Sequence, residues 1–136
     1  MRDTLEIFKI FSDETRVRIL MLLLQKELGV CQIACVLDLS QPLISKNLAT
    51  LYSSGFLSER KVGKQVFYRI KKNLPQKLKI AVSTLKELVS NESRIIEDGL
   101  ILKECEEFRN KTGKCDLKAV KEFLEQKRKI AGGINE

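Results

Sequence analysis

Residues Leu39-Ser-Gln-Pro-Leu-Ile-Ser-Lys-Asn-Leu-Ala-Thr-Leu51, followed shortly by Arg60-Lys-Val-Gly-Lys-Gln-Val-Phe-Tyr-Arg69, constrain this chain more than any other part of it. At 100° per residue, Ile44, Leu48 and Leu51 share one face of a helix, and Gln41, Pro42, Ser45, Lys46 and Ala49 the other. Ser40 is a good N-cap for that helix, and Pro42 is tolerated in its first turn. Phe56 to Lys61 and Gln65 to Ile70 are rich in strand formers, and Val62-Gly63-Lys64 between them fits a tight hairpin. A helix with a small polar face beside a two-stranded ribbon with a basic tip is the layout of a winged helix-turn-helix. The predicted fold class is therefore mainly α with a small β-hairpin.

The flanking segments supply the helices that such a ribbon needs to pack against. Leu5, Phe8 and Phe11 predict a short amphipathic first helix. Ser12 is placed to cap a second, which runs through Val17, Leu20 and Leu24. Gly29-Val30 breaks it, Cys31 to Leu37 forms a third short helix, and Asp38-Leu39-Ser40 is the turn into the fourth. Asn73 and Pro75 open a long helix with a stripe of Leu78, Ala81, Leu85, Leu88 and Val89. Ile95, Ile96, Leu100 and Leu102 extend the pattern past a weak break at Ser90-Asn91. Asp116 caps a last helix carrying Leu117, Val120, Phe123 and Leu124. The predicted organisation is a DNA-binding unit over 1–90, including the start of a dimerisation helix, and a helical extension over 91–136. The terminal helices carry more apolar stripe than one small core can cover, which predicts a homodimer formed through them.

Charge and composition narrow the function. The net charge is +7, and residues 40–72 hold seven basic residues against Glu59 alone. A localised basic surface favours a polyanion, because each neutralised phosphate releases condensed counterions. The chain has no histidine, which excludes Ser-His and Cys-His nucleophile systems and histidine metal sites. No glycine pattern makes a phosphate loop, so an enzyme is not predicted. Met1 is followed by Arg2, Asp3 and Glu6 without an apolar segment, and the longest apolar run, 19–24, is too short to span a bilayer. These features predict a cytoplasmic location, no membrane partner and reduced cysteines.

The order of elements, together with Phe11-Ser-Asp-Glu-Thr-Arg-Val-Arg-Ile-Leu20, Glu27-Leu-Gly-Val-Cys31, Leu39 to Leu48, and Gly55-Phe-Leu through Arg69, resembles the ArsR/SmtB family of metalloregulatory repressors, over residues 5 to 90. The resemblance implies a dimeric winged-helix repressor, akin to arsenical-resistance repressors, that leaves its operator when a metal ion binds. Asn47 stands where the family usually has histidine, and the helical projection puts it at the flank of the helix. Arsenite-sensing members carry Leu-Cys-Val-Cys-Asp-Leu-Cys at the third helix. Here Leu28 to Ala34 matches only the middle cysteine, with Cys31, while Gly29 and Ala34 occupy the outer positions and Cys35 lies one residue beyond. The family's other site, built from histidines and carboxylates on the helix after the wing, has no histidine here.

The predicted DNA-facing set is Ser40, Gln41, Pro42, Ser45, Lys46 and Asn47 on the fourth helix with Lys61 and Lys64 on the wing. The partner is a palindromic double-stranded operator, whose two halves a two-fold protein can engage. The candidate thiol ligands are Cys31, Cys35, Cys105 and Cys115. Cys31 and Cys35 are spaced i, i+4 on one helical face, and Cys31 lies near the helix N-terminus, which favours its thiolate. Thiolates select soft ions, so no obligatory cofactor is predicted, and arsenic(III), antimony(III) or another soft metal ion is the candidate inducer. A third ligand would come from Cys105 or Cys115. Each cysteine also has a plain reading as a small buried hydrophobe. Two alternatives remain open at this level: a cysteine-based redox or persulfide switch, and a sequence-neutral nucleic-acid packaging or interaction protein.

Overall fold

In the computed structural model, residues 1–112 are described. The elements run α1 (Arg2–Phe11), α2 (Glu14–Gln25), β1 (Leu28–Gly29), α3 (Val30–Leu37), α4 (Gln41–Ser53), β2 (Leu57–Val62), β3 (Gln65–Ile70), α5 (Gln76–Val89) and α6 (Ser93–Thr112). The expected helix from Asp116 onward, and Cys115, lie outside the described residues.

α2 is buried along most of its length, from Val17 to Leu23, and forms the central post. α3, α4 and the wing pack around it, with Ile19, Leu20, Ile33, Ile44, Leu48, Leu51, Phe56 and Leu57 all fully buried. Each such side chain stabilises the fold by about 1.5–3 kcal/mol relative to exposure. The N-cap of α2 is Asp13 rather than Ser12: the Asp13 carboxylate accepts from the Arg16 amide at 3.1 Å. Ser12 instead closes α1, its hydroxyl donating to the Lys9 carbonyl at 2.6 Å. A carboxylate at the N-terminus gains from the helix dipole, which a hydroxyl does not.

The wing carries one strand more than expected. β3 is central, with β2 antiparallel on one side and the two-residue β1 on the other. β1 brings Gly29 against Phe67, where a side chain at 29 would press on the ring at 3.4 Å. Val62 pairs with Gln65, so the hairpin loop is Gly63-Lys64 alone, with Gly63 at φ +61. That is a two-residue turn with glycine first, a position at which any side chain is strained.

The expected stripe of α1 is rotated, whereas that of α5 holds except at Leu88: Leu78, Ala81, Leu85 and Val89 all pack against the core. α1 buries Ile7 and Ile10, whereas Leu5 and Phe8 are 59% and 67% exposed. α5 buries Val82 and Leu85 and leaves Leu88 and Ile80 exposed. α1 lies against α5, so these uncovered apolar residues sit on adjoining helices. The break before α6 is real, yet α6 returns to pack on α2 and α3 and sends Leu102 into the same core. Gly99 lets α6 approach closely, since a Cβ there would meet the Gln25 amide nitrogen at 3.2 Å.

Candidate nucleic-acid interface and thiol site

Ser40 caps α4, its hydroxyl accepting from the Leu43 amide at 3.3 Å. The preceding turn is made by Asp38 in the left-handed region, φ 56, which ends α3 and re-aims the chain. Aspartate tolerates that conformation as a single residue. With Ile44, Leu48 and Leu51 inward, Gln41, Pro42, Ser45, Lys46 and Ala49 are exposed along the outer face. These side chains are small or flexible, which lets a groove edge approach the backbone of the first turns of the helix, while Tyr52 stands exposed near its end.

The basic residues of 40–72 divide into two groups. Arg60 is committed: it donates to the Glu27 carboxylate at 2.6 Å and lies over the Phe67 ring, 5.3 Å from its centroid. That hydrogen bond holds the Glu27 carboxyl below the usual range. Arg69 donates to the Ser58 hydroxyl at 3.1 Å. Lys46, Lys61 and Lys64 are exposed and enter no ion pair among the described residues. The arginines thus stiffen the wing, and the lysines present charge to solvent. The Glu27–Arg60 tether joins residues 33 apart in sequence and carries no local signal.

Between α3, α4 and the hairpin tip opens a cleft of about 320 Å³, lined by Cys31, Gln32, Gln41, Ser45, Lys64 and Phe67 among others. Three of the predicted DNA-facing residues and one candidate thiol therefore border a single opening. Cys31 is half-buried at the second residue of α3, held at that end by the Gly29 amide donating to the Gln32 side chain at 2.8 Å. Cys35 is only 4% exposed and belongs to the core. Cys105, on α6, is half-buried against that core. Among the described residues no three Cys, Asp or Glu side chains converge as metal ligands, so Cys31, Cys35 and Cys105 do not form a ready three-thiol site.

The bacterial regulatory protein family designated arsR matches residues 13–59, from the cap of α2 through α4 into β2. The arsenical resistance operon repressor of Escherichia coli (strain K12) is 49% identical over 72 residues, 52% of this chain and 62% of the repressor. The arsenic resistance regulator ArsR2 of Pseudomonas putida is 46% identical over 71 residues, again 62% of its length. The solved structure of HlyU from Vibrio cholerae superposes with a TM-score of 0.58 at 30% identity, covering 66% of this chain and 95% of HlyU. The chain belongs to the arsR family of bacterial regulatory proteins. It spans under two thirds of the length of these two curated relatives. No helix among the described residues is long and apolar enough to cross a membrane.

Within this arsR-family fold one predicted DNA-facing residue is turned away from the outer face. Asn47 is only 5% exposed. Its amide nitrogen donates to the Leu43 carbonyl at 3.0 Å, and its oxygen accepts from Arg16 at 3.2 Å. The helical projection puts Asn47 at the flank; α2 packs on α4, and its Arg16 meets that flank. Asn47 therefore leaves the set of residues that can touch a base or phosphate. Ser40, Gln41, Pro42, Ser45, Lys46, Lys61 and Lys64 remain on the exposed surface.

Proposed function

We propose that this protein is a homodimeric DNA-binding transcriptional repressor whose operator binding is relieved by a thiophilic effector at Cys31. The supporting observation is the shared cleft: Cys31 opens into the same space as Gln41, Ser45 and Lys64. α4 would lie in the major groove, with Gln41 and Ser45 toward base edges and Lys46, Lys61 and Lys64 on phosphates. The exposed Leu5 and Phe8 of α1 and Ile80 and Leu88 of α5 would be covered by a second copy, whose α4 reaches the other half of a palindromic site.

Arsenic(III) and antimony(III) are the leading effectors, since two relatives are named for arsenic resistance and thiolates select such ions. Cys31 at the start of α3 is the residue best placed to bind one, with Cys35 one turn on and Cys105 or Cys115 as further ligands. Burial of Cys35 means α3 would have to loosen for both thiols to ligate. An ion there acts twice: it disturbs the helix that leads into α4, and it occupies a cleft that DNA needs. A ligand shifts such an equilibrium only by its differential affinity for the two states, and direct overlap with DNA supplies that difference.

The test is a titration of operator-bound protein with arsenite, antimonite, cadmium and copper(I), repeated for Cys31→Ser, Cys35→Ser and Cys105→Ser/Cys115→Ser. At least one ion releases the wild type, and Cys31→Ser abolishes that release. Unchanged release of Cys31→Ser at the same concentration would refute the effector assignment. A cysteine-based redox or persulfide switch with no metal bound is the second reading, favoured by the lack of three converging Cys, Asp or Glu side chains among the described residues. Mass spectrometry after oxidant or sulfide treatment separates the two.

A further inference from the structure

α4 is held to the core by Ile44, Leu48 and Leu51, all fully buried. These packed side chains fix which face of the helix points inward, but burial of apolar area is itself non-directional and constrains the last few degrees of roll less sharply than a hydrogen bond does. A roll of about 10° moves a side-chain tip about 5–6 Å from the axis by about 1 Å. A hydrogen bond to a base edge does not survive that displacement, whereas attraction to a phosphate, falling as the inverse of distance, hardly changes. A directional contact would therefore sharpen the roll that α4 needs to read sequence.

The directional group is the Asn47 carboxamide, bound at both ends inside the protein. Its nitrogen donates one turn back to Leu43, and its oxygen accepts from Arg16. Arg16 is itself aimed by three further partners: its Nε donates to the Ile10 carbonyl at 2.9 Å, its Nη2 to the Lys9 carbonyl at 3.3 Å, and Asp13 lies 3.7 Å from its Nη1. The two carbonyls belong to the last turn of α1; that of Lys9 also accepts from the Ser12 amide at 3.2 Å and the Ser12 hydroxyl at 2.6 Å, so Arg16 joins a cap that is already formed there. One guanidinium thus ties the end of α1 to the side of α4, and its planar fork sets the angle between them.

The geometry points to Asn47 and Arg16 as positioning residues for sequence recognition: together they set the roll of α4 and make it follow the seating of α1. This rests on the DNA-binding reading above and adds to it a determinant that touches no DNA. Because α1 also presents the uncovered Leu5 and Phe8, a partner seated on that face is mechanically connected to the reading helix.

The experiment compares wild type, Asn47→Leu, Asn47→Asp, Arg16→Lys and the Arg16→Lys/Asn47→Leu double variant. Affinity is measured for a duplex enriched from a random library by the wild-type protein and for its scrambled counterpart, with thermal unfolding of each variant. Asn47→Leu lowers the ratio of the two affinities by about tenfold, the worth of one base-reading contact, while scrambled-DNA affinity stays within about twofold. Asn47→Asp keeps the acceptor for Arg16 and retains most of the ratio. The double variant is no worse than Asn47→Leu, because both changes remove the same link. A folded Asn47→Leu protein with the wild-type ratio overturns the proposal, as does a loss that Asn47→Asp fails to restore. Should Asn47→Leu not fold, Arg16→Lys decides alone, and an unchanged ratio there overturns it. Failure of the wild type to enrich any sequence would instead refute the DNA-binding reading itself.

Discussion

Two arginine–carboxylate pairs, one at the wing and one at the seam between α2 and α6, differ in everything except chemistry. At the wing, Arg60 meets Glu27 at 2.6 Å with the arginine side chain 59% exposed. At the α2–α6 seam, Arg18 donates both Nε and Nη2 to Asp98 at 2.9 Å, with the two side chains 10% and 4% exposed. Arg18 also donates to the Leu37 carbonyl at 3.3 Å, at the end of α3 just before the turn into α4. The shorter pair is the weaker one, because water screens it. The longer pair, removed from water, leaves a stranded charge if either partner is lost. The half of the fold facing the proposed DNA is therefore held by adjustable contacts, and the half behind it is locked.

The largest effect should come from breaking the locked side. Asp98→Ala leaves the Arg18 guanidinium charged and buried, its pKa raised further by the hydrogen bond to Asp98 in the native protein. The expected loss is about 3–5 kcal/mol, read as a fall in the denaturant midpoint at unchanged slope. A loss under about 1 kcal/mol would mean that the seam is not locked.

On the adjustable side the effects fall on binding rather than on stability. Gln41→Ala or Ser45→Ala should reduce discrimination between operator and scrambled DNA by about tenfold, with unfolding unchanged. Lys64→Ala should weaken both duplexes alike and flatten the salt dependence of log Kd by about 0.9 per subunit. Uniform weakening by both kinds of change would remove α4 from the reading role.

The smallest effect belongs to Glu27→Gln, and its sign depends on pH. Arg60 holds the folded-state pKa of Glu27 below its unfolded value. Its contribution is therefore complete above the ordinary glutamate range, near about 4.3, and is lost as the pH falls through the depressed folded value. The small Tm gap between wild type and Glu27→Gln at neutral pH should close in acid and shrink in salt. A gap that persists below the folded-state pKa would show that Glu27 acts through packing.

These contrasts also explain what could be read from the sequence. The two faces of α4 and the Gly63 hairpin were legible because a 3.6-residue period and a positive φ are local properties. The buried stripe of α1 is hard to read because Leu5, Ile7, Phe8, Ile10 and Phe11 spread its apolar face over more than half of the helix, opposite Arg2, Glu6 and Lys9. Period alone cannot tell which stripe the core takes and which stays outside. β1 is two residues long and exists only as an addition to β3. Asn47 reads from the projection as a flank position, and its distant partner Arg16 draws it inside; the Arg18–Asp98 pair, joined across 80 residues, leaves no local signal. Cys35 met the i+4 rule for a ligand pair, yet the same spacing turned it into the core.

The central claim is that the effector thiol and the DNA share one cleft, and thiol footprinting tests it most directly. Operator-bound and DNA-free protein are exposed to a small alkylating reagent, and the labelling rates of Cys31 and Cys105 are followed by mass spectrometry. The account predicts that DNA slows labelling of Cys31 at least about tenfold, as full operator occupancy requires, and leaves Cys105 unchanged. Equal labelling of Cys31 with and without bound operator would contradict it.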